Sequence, residues 1–141
     1  MSKKLLFVYG SLLSGLHNHS YFLGKDKGEQ VEYLGEWTTP PEYTMVAVME
    51  GSFPGVLVGG NTAIKGELYA VSEAVYGAIE GLEGYPTFYT RSPLRTPLGA
   101  SELYVLVESE SRDYRNRYER VEDGDWRRFY RESREGYRGV G

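Results

Sequence analysis

The chain has 141 residues, no cysteine, 18 glycines, 40% hydrophobic residues and a formal net charge of −4. That length suits one hydrophobic core, the lack of cysteine excludes disulfides and thiolate chemistry, and no apolar run reaches the roughly eighteen residues of a membrane-spanning helix. The negative balance argues against nucleic-acid binding by bulk electrostatics, although residues 1–90 hold five Lys, no Arg and ten acids while residues 112–141 hold nine Arg, no Lys and seven acids.

In chain order, Lys3-Lys4 followed by Leu5-Leu6-Phe7-Val8 has the look of a secretory signal. The run stops at Gly10-Ser11 with no small-x-small site behind it, so a buried first strand over Lys4 to Tyr9 fits better and a cytoplasmic location is expected. A loop from Gly10 to Gly15 leads to a short helical stretch at His19 to Leu23. Gln30 to Trp37 and Tyr43 to Met49 read as a pair of strands separated by the breaker Pro40-Pro41. Phe53-Pro54-Gly55 reads as a turn into the apolar stretch Val56-Leu57-Val58. A tight turn at Gly59-Gly60-Asn61 then precedes a strand over Ala63 to Val71. One helix is well marked: Ser72 suits its N-cap, Val75, Ile79 and Leu82 share a face, Gly84 suits the left-handed position after it, and Pro86 forbids continuation. Strands over Tyr89 to Thr96 and Leu103 to Val107 flank a turn at Pro97-Leu98-Gly99. The remainder is charged and aromatic, partly helical, with Tyr114, Tyr118, Tyr130 and Tyr137 packing on or coating the domain and Gly136 to Gly141 fraying. Many short strands around one clear helix indicate an α+β domain.

Two features offer chemistry. Glu83 falls in the last helical turn, facing the negative end of the helix dipole, and Glu80 lies three residues earlier. Both effects disfavour ionisation and burial would add to them, so Glu83 is either a carboxylate tuned for proton transfer or a solvated glutamate at a helix end. The second feature is Tyr9-Gly10-Ser11-Leu12, where glycine permits close backbone approach and successive N–H groups can hold an anion. It is equally a turn that ends a strand. It has no Gly-Lys-Ser/Thr sequel of a P-loop, and Ser11 lacks the Gly-x-Ser-x-Gly elbow of a serine nucleophile. His17 and His19 have a His-x-His spacing, but further ligands are wanting, so no metal is expected.

Taken together, Phe7-Val8-Tyr9-Gly10-Ser11-Leu12, Asn18, Phe53-Pro54-Gly55, Leu82-Glu83-Gly84-Tyr85-Pro86, Tyr89-x-Arg91 and Gly124-Asp125-Trp126 resemble, in order and spacing, the motifs of the gamma-glutamylcyclotransferase-like family, and in particular its small gamma-glutamylamine branch. The resemblance covers residues 4 to 126. It implies a small mixed β-barrel flanked by helices, placed at residues 1–126; residues 127–141 lie beyond the family's usual ending, a charged aromatic extension whose composition leads us to expect it to be dispensable for chemistry. It further implies release of 5-oxoproline from a gamma-glutamyl amine or peptide, without cofactor. The α-amine of the substrate attacks its own γ-carbonyl, Glu83 serves as general base and acid, and the Gly10–Leu12 amides hold the α-carboxylate. Tyr9, Tyr89 and Tyr104 would line the pocket by hydrogen bond and ring contact. The expected partner is a small gamma-glutamyl substrate, with no nucleic acid and no membrane, and with room for a homo-oligomer. Two other readings stand beside it: a catalytically silent ligand-binding or sensor member of the same fold, and an RNA-associated protein acting through the Arg-rich C-terminal segment.

Overall fold

A computed structural model describes residues 3–16, 18–48, 53–84 and 87–140, with 134–140 as backbone alone. The elements are β1 (Lys4–Val8), α1 (His19–Leu23), a 3-10 stretch (Lys25–Gln30), β2 (Val31–Thr38), β3 (Tyr43–Val48), β4 (Phe53–Val58) and β5 (Lys65–Val71). They continue with α2 (Glu73–Glu83), β6 (Tyr89–Thr96), β7 (Gly99–Leu106), α3 (Tyr114–Arg117), β8 (Glu119–Arg120) and α4 (Trp126–Val140). The anticipated α+β class is observed. The ends expected at Met49, Pro86 and Gly141, and the side chain of Tyr137, lie outside the described residues.

β1 holds the middle of a five-stranded mixed sheet of order β2-β5-β1-β7-β6. It runs antiparallel to β5, from Lys4 opposite Val71 to Val8 opposite Glu67, and parallel to β7 at Leu6 and Glu102. Alternation along the strands sorts side chains into two cores. Leu6, Val8, Val46, Val48, Tyr69, Val71, Tyr104 and Leu106 point into one, which α2 closes with Val75, Tyr76 and Ile79. Phe7, Tyr9, Met45, Ala47, Leu68, Leu103 and Val105 point into the other, which receives Trp126 from the start of α4. Burial on both faces is why Leu5 to Val8 reads as an unbroken apolar run.

The strands do not close into the expected barrel. β4-β3-β8 form a separate three-stranded sheet, and among the described residues no ladder joins it to the first. β4 instead lies against β7 by packing: Gly55 leaves no room for a Cβ beside Leu106. The strands on either side of Pro40-Pro41 are not partners. β2 pairs with β5 and β3 with β4, so the two prolines mark the crossing from one sheet to the other. Phe53-Pro54-Gly55 is not a turn but the start of β4, with Pro54 opposite Ala47. An edge strand tolerates that proline, which has no N–H to donate.

α2 has the caps its sequence advertises. Ser72 accepts a 3.2 Å hydrogen bond from the Val75 N–H, and Gly84 takes φ +65°. Leu82 departs from the expected core stripe, since it is 41% exposed. The C-terminal segment is a continuous helix docked through Trp126, whose ring lies 5.3 Å from Phe129 and 6.1 Å from Tyr130. Tyr114 is buried and stacks on Tyr118. The division expected at 126/127 therefore falls inside α4.

Candidate active site

β1 delivers its last residues to a turn that reverses over 10–14. Its shape is fixed locally, by the Leu13 N–H on the Gly10 carbonyl at 2.9 Å and the Asn18 N–H on the Ser11 carbonyl at 3.1 Å. Side chains from the start of α1 hold it further. Asn18 Nδ2 donates to Ser11 Oγ at 2.8 Å, and His19 Nδ1 donates to the Leu12 carbonyl at 2.9 Å. His17 lies outside the described residues, so the His-x-His pair is not seen as a unit. Gly10 is needed for a close approach: a Cβ there would stand 2.8 Å from Pro54 Cγ. Among the described residues no protein acceptor takes the Ser11 or Leu12 N–H, which leaves both available to an anion.

This turn forms one side of a cavity of about 580 Å³. The end of α2 contributes Leu82, Glu83 and Gly84, and the strands contribute Phe7, Val8, Tyr9, Tyr89 and Tyr104. Asn18, Phe53, Pro54 and Phe88 complete the lining, with the Phe53 and Phe88 rings packed edge to face at 5.8 Å. The structure thus brings all seven expected residues, Tyr9, Gly10, Ser11, Leu12, Glu83, Tyr89 and Tyr104, around one cavity. Sequence reasoning took Leu82 for core and passed over Phe88, although its place one residue before Tyr89 was a usable signal.

Glu83 supplies the one charged side chain among the described lining residues. Burial lifts its carboxyl from the ordinary 4.5 to about 7. Desolvation, and not the Glu80 charge, is the cause; Glu80 faces Arg91 Nη1 at 3.2 Å. Burial first, and then neighbouring charges that include Glu83, raise the phenols of Tyr9, Tyr89 and Tyr104, so all three stay protonated. Two of them have committed that proton: Tyr9 donates to the Tyr104 carbonyl and Tyr89 to the Pro54 carbonyl, each at 2.7 Å. The Tyr104 hydroxyl is buried with no well-formed hydrogen bond and lies in electrostatic reach of Tyr76. A carboxyl raised to about 7 and free backbone donors, lining one largely apolar cavity with ample room for a small amino-acid derivative, suit acid–base chemistry on an anionic molecule.

Fold and cavity together define a small α+β protein with one carboxylate lining its cavity at a helix end and unoccupied backbone donors in the turn after its first strand. The chain belongs to the gamma-glutamyl cyclotransferase, AIG2-like family, whose model matches residues 6–128. It is 33% identical over 122 residues to a Vibrio cholerae protein named "Putative gamma-glutamylcyclotransferase", covering 86% of this chain and 94% of that one. It is 30% identical over 97 residues to gamma-glutamylaminecyclotransferase C of Danio rerio, covering 67% of this chain and 63% of the relative. The uncharacterized protein PH0828 of Pyrococcus horikoshii shares the fold, with a TM-score of 0.71 at 22% identity over 94% of this chain and 97% of that one. Among the described residues no helix is long and apolar enough to cross a membrane.

Proposed function

We propose that the protein is a gamma-glutamyl cyclotransferase that releases 5-oxoproline from a gamma-glutamyl amine or peptide. The observation that carries this reading is the Glu83 carboxyl, raised to about 7 in the same cavity as the Ser11 and Leu12 amides. The names of the relatives point the same way.

The chemistry follows from what each group can do. The Ser11 and Leu12 N–H groups hold the substrate α-carboxylate, which fixes the adjacent α-nitrogen. Ionised Glu83 takes a proton from the α-ammonium, whose ordinary pKa is about 8, so the transfer is nearly balanced. The free amine attacks the γ-carbonyl and closes a five-membered lactam. Because the attack is intramolecular, holding the chain folded can lower the barrier by roughly 7–11 kcal/mol. Attack leaves two protons on the ring nitrogen; Glu83 gives its first proton to the leaving nitrogen as the C–N bond breaks and then relays the second from the ring nitrogen, so the amine departs as an ammonium ion. Of the three ammonium protons one stays on the lactam and two leave on the released amine. The Tyr9 and Tyr89 hydroxyl protons already belong to backbone carbonyls, so these rings shape the cavity rather than donate to substrate. Ser11 Oγ accepts from Asn18, which suits a structural serine and not a nucleophile.

The test is 5-oxoproline release across a panel of gamma-glutamyl amines, amino acids and peptides. The reading predicts turnover of at least one, lost in Glu83→Gln. A well-folded protein that turns over none of them would leave a ligand-binding member of the fold.

A further inference from the structure

Glu67 is 2% exposed, in the middle of β5, and takes no part in lining the cavity. Its carboxylate accepts four hydrogen bonds. Ser14 N–H and Tyr69 OH donate to Oε1 at 2.8 and 3.0 Å, and Ser14 Oγ and Arg127 Nη2 donate to Oε2 at 2.7 and 3.2 Å. Arg127 Nη2 also donates to the Ser14 carbonyl at 2.8 Å. Burial alone would lift the carboxyl, but these bonds outweigh it and hold Glu67 below the ordinary value, so it is ionised at neutral pH.

Three separated parts of the chain meet here: the centre of the main sheet, the first turn of α4, and Ser14. Ser14 is the last residue of the turn whose Ser11 and Leu12 amides face no protein acceptor. A turn that must present unoccupied donors cannot be stabilised through those donors. It is fixed instead through the Ser11 and Leu12 carbonyls, the Ser11 hydroxyl and its two ends, and a preorganised binder gains affinity from that fixing. Gly10 against Pro54 fixes one end. The Glu67–Arg127 pair grips the N–H, hydroxyl and carbonyl of Ser14 at the other. A buried ion pair is weak evidence for stability, since an apolar pair of similar volume commonly does as well, whereas fixing one local geometry is the best-attested use of such a pair.

We propose that Glu67, clamped by Arg127, is a positioning residue that holds the 10–14 turn in its anion-binding shape. Its consequence for turnover rests on the activity proposed above; its consequence for the turn does not.

The test uses the full chain with Glu67→Gln and the double variant Glu67→Gln/Arg127→Met, each shown to be folded by circular dichroism. Amide hydrogen exchange is read at residues 11–14, and KM and kcat are measured with a gamma-glutamyl substrate that the wild type turns over. In Glu67→Gln, exchange at 11–14 should rise about ten-fold relative to β1 and α2, and KM should rise about ten-fold with kcat within about three-fold. The double variant, which also removes the guanidinium that grips Ser14, should not regain KM. A folded Glu67→Gln with wild-type exchange at 11–14 overturns the proposal, as does recovery of KM together with stability in the double variant. If Glu67→Gln does not fold, Arg127→Gln, which takes the guanidinium from Glu67 Oε2 and from the Ser14 carbonyl and hydroxyl but keeps the two Ser14 bonds to Glu67, should show the same rise in smaller measure, and unchanged exchange there counts against the clamp. If the wild type releases no 5-oxoproline from any gamma-glutamyl compound, the proposed activity fails and the exchange measurement still decides the clamp.

Discussion

Glu80 on α2 and Arg91 on β6 form an ion pair at 3.2 Å. Arg91 thus faces the acid nearest to Glu83 along the helix, and it is desolvation that raises the Glu83 carboxyl. As a general base Glu83 must be ionised in the free enzyme, so kcat/KM should climb with pH along a limb near 7 instead of the 4.5 of an exposed glutamate. Glu80→Gln should move that limb by less than about half a unit. A limb at 4–5 in the wild type would mean that the carboxyl is not raised, and one that drops by a full unit in Glu80→Gln would return the cause to the neighbouring charge.

Glu83→Gln should lower turnover by about 10²–10⁴-fold, the usual worth of a general acid–base. It should also stabilise the fold. The folded carboxyl titrates near 7 against 4.5 for an ordinary glutamate, so between those values the unfolded chain releases a proton that the folded chain keeps. Stability thus falls as pH rises from 4.5 to 7 and is flat above, by about 3 kcal/mol in all. Denaturant melts at pH 4 and pH 8 check the sign: the variant should match the wild type at pH 4 and exceed it at pH 8.

Gly10 does not sit at positive φ; its side chain is excluded by the Pro54 ring, with a Cβ 2.8 Å from Cγ and 3.2 Å from Cδ. Gly10→Ala should therefore displace the turn and raise KM about ten-fold or more, and Pro54→Ala in the same chain should recover part of that loss. Additive losses in the double-mutant cycle would mean that the two residues do not meet. Ser11→Ala removes a hydroxyl that only accepts from Asn18 and should cost a few-fold at most.

Ending the chain after Trp126 removes Arg127 and leaves Glu67 buried without its ion-pair partner. Melting temperature should fall by about 10 °C and KM should rise, with kcat little changed in protein that remains folded. Ending it after Glu132 keeps Arg127, Phe129 and Tyr130 and should do neither. Loss of kcat by orders of magnitude in the shorter chain would mean that α4 takes part in the chemistry.

The leaving group should be an amine without a carboxylate. Glu83 is the one charged side chain among the described lining residues. A second carboxylate in the substrate would find Glu83 and apolar rings in place of a counter-charge. Gamma-glutamyl alkylamines should exceed gamma-glutamyl amino acids and peptides in kcat/KM by about ten-fold or more. The reverse order would show that the leaving group lies outside this cavity.

Local chemistry was legible and long-range pairing was not. The caps Ser72 and Gly84 announce α2 because they satisfy orphan groups within one turn, and through them the position of Glu83 could be read. Tyr9 to Leu12 could be read because Gly10-Ser11 interrupts the apolar run of β1. Nothing local says that β2 finds β5 or that Phe53-Pro54-Gly55 extends a strand, since those partners are distant in sequence. Leu82 fits the helical period of the core and is partly exposed because the cavity lies beside it. Glu67 left one trace, a lone acid in an otherwise apolar strand, while its partners Ser14 and Arg127 are 53 and 60 residues away.

β2 is an outer strand of the main sheet, with a register break between Tyr33 and Gly35 and with Glu32 and Glu36 along it. A kinked edge carrying like charges is a poor template for another strand. Two copies approaching along β2 would meet acid against acid with the ladder out of step. That margin of the sheet thus guards the protein against edge-to-edge aggregation, and an assembly of several copies would have to be built from some other surface.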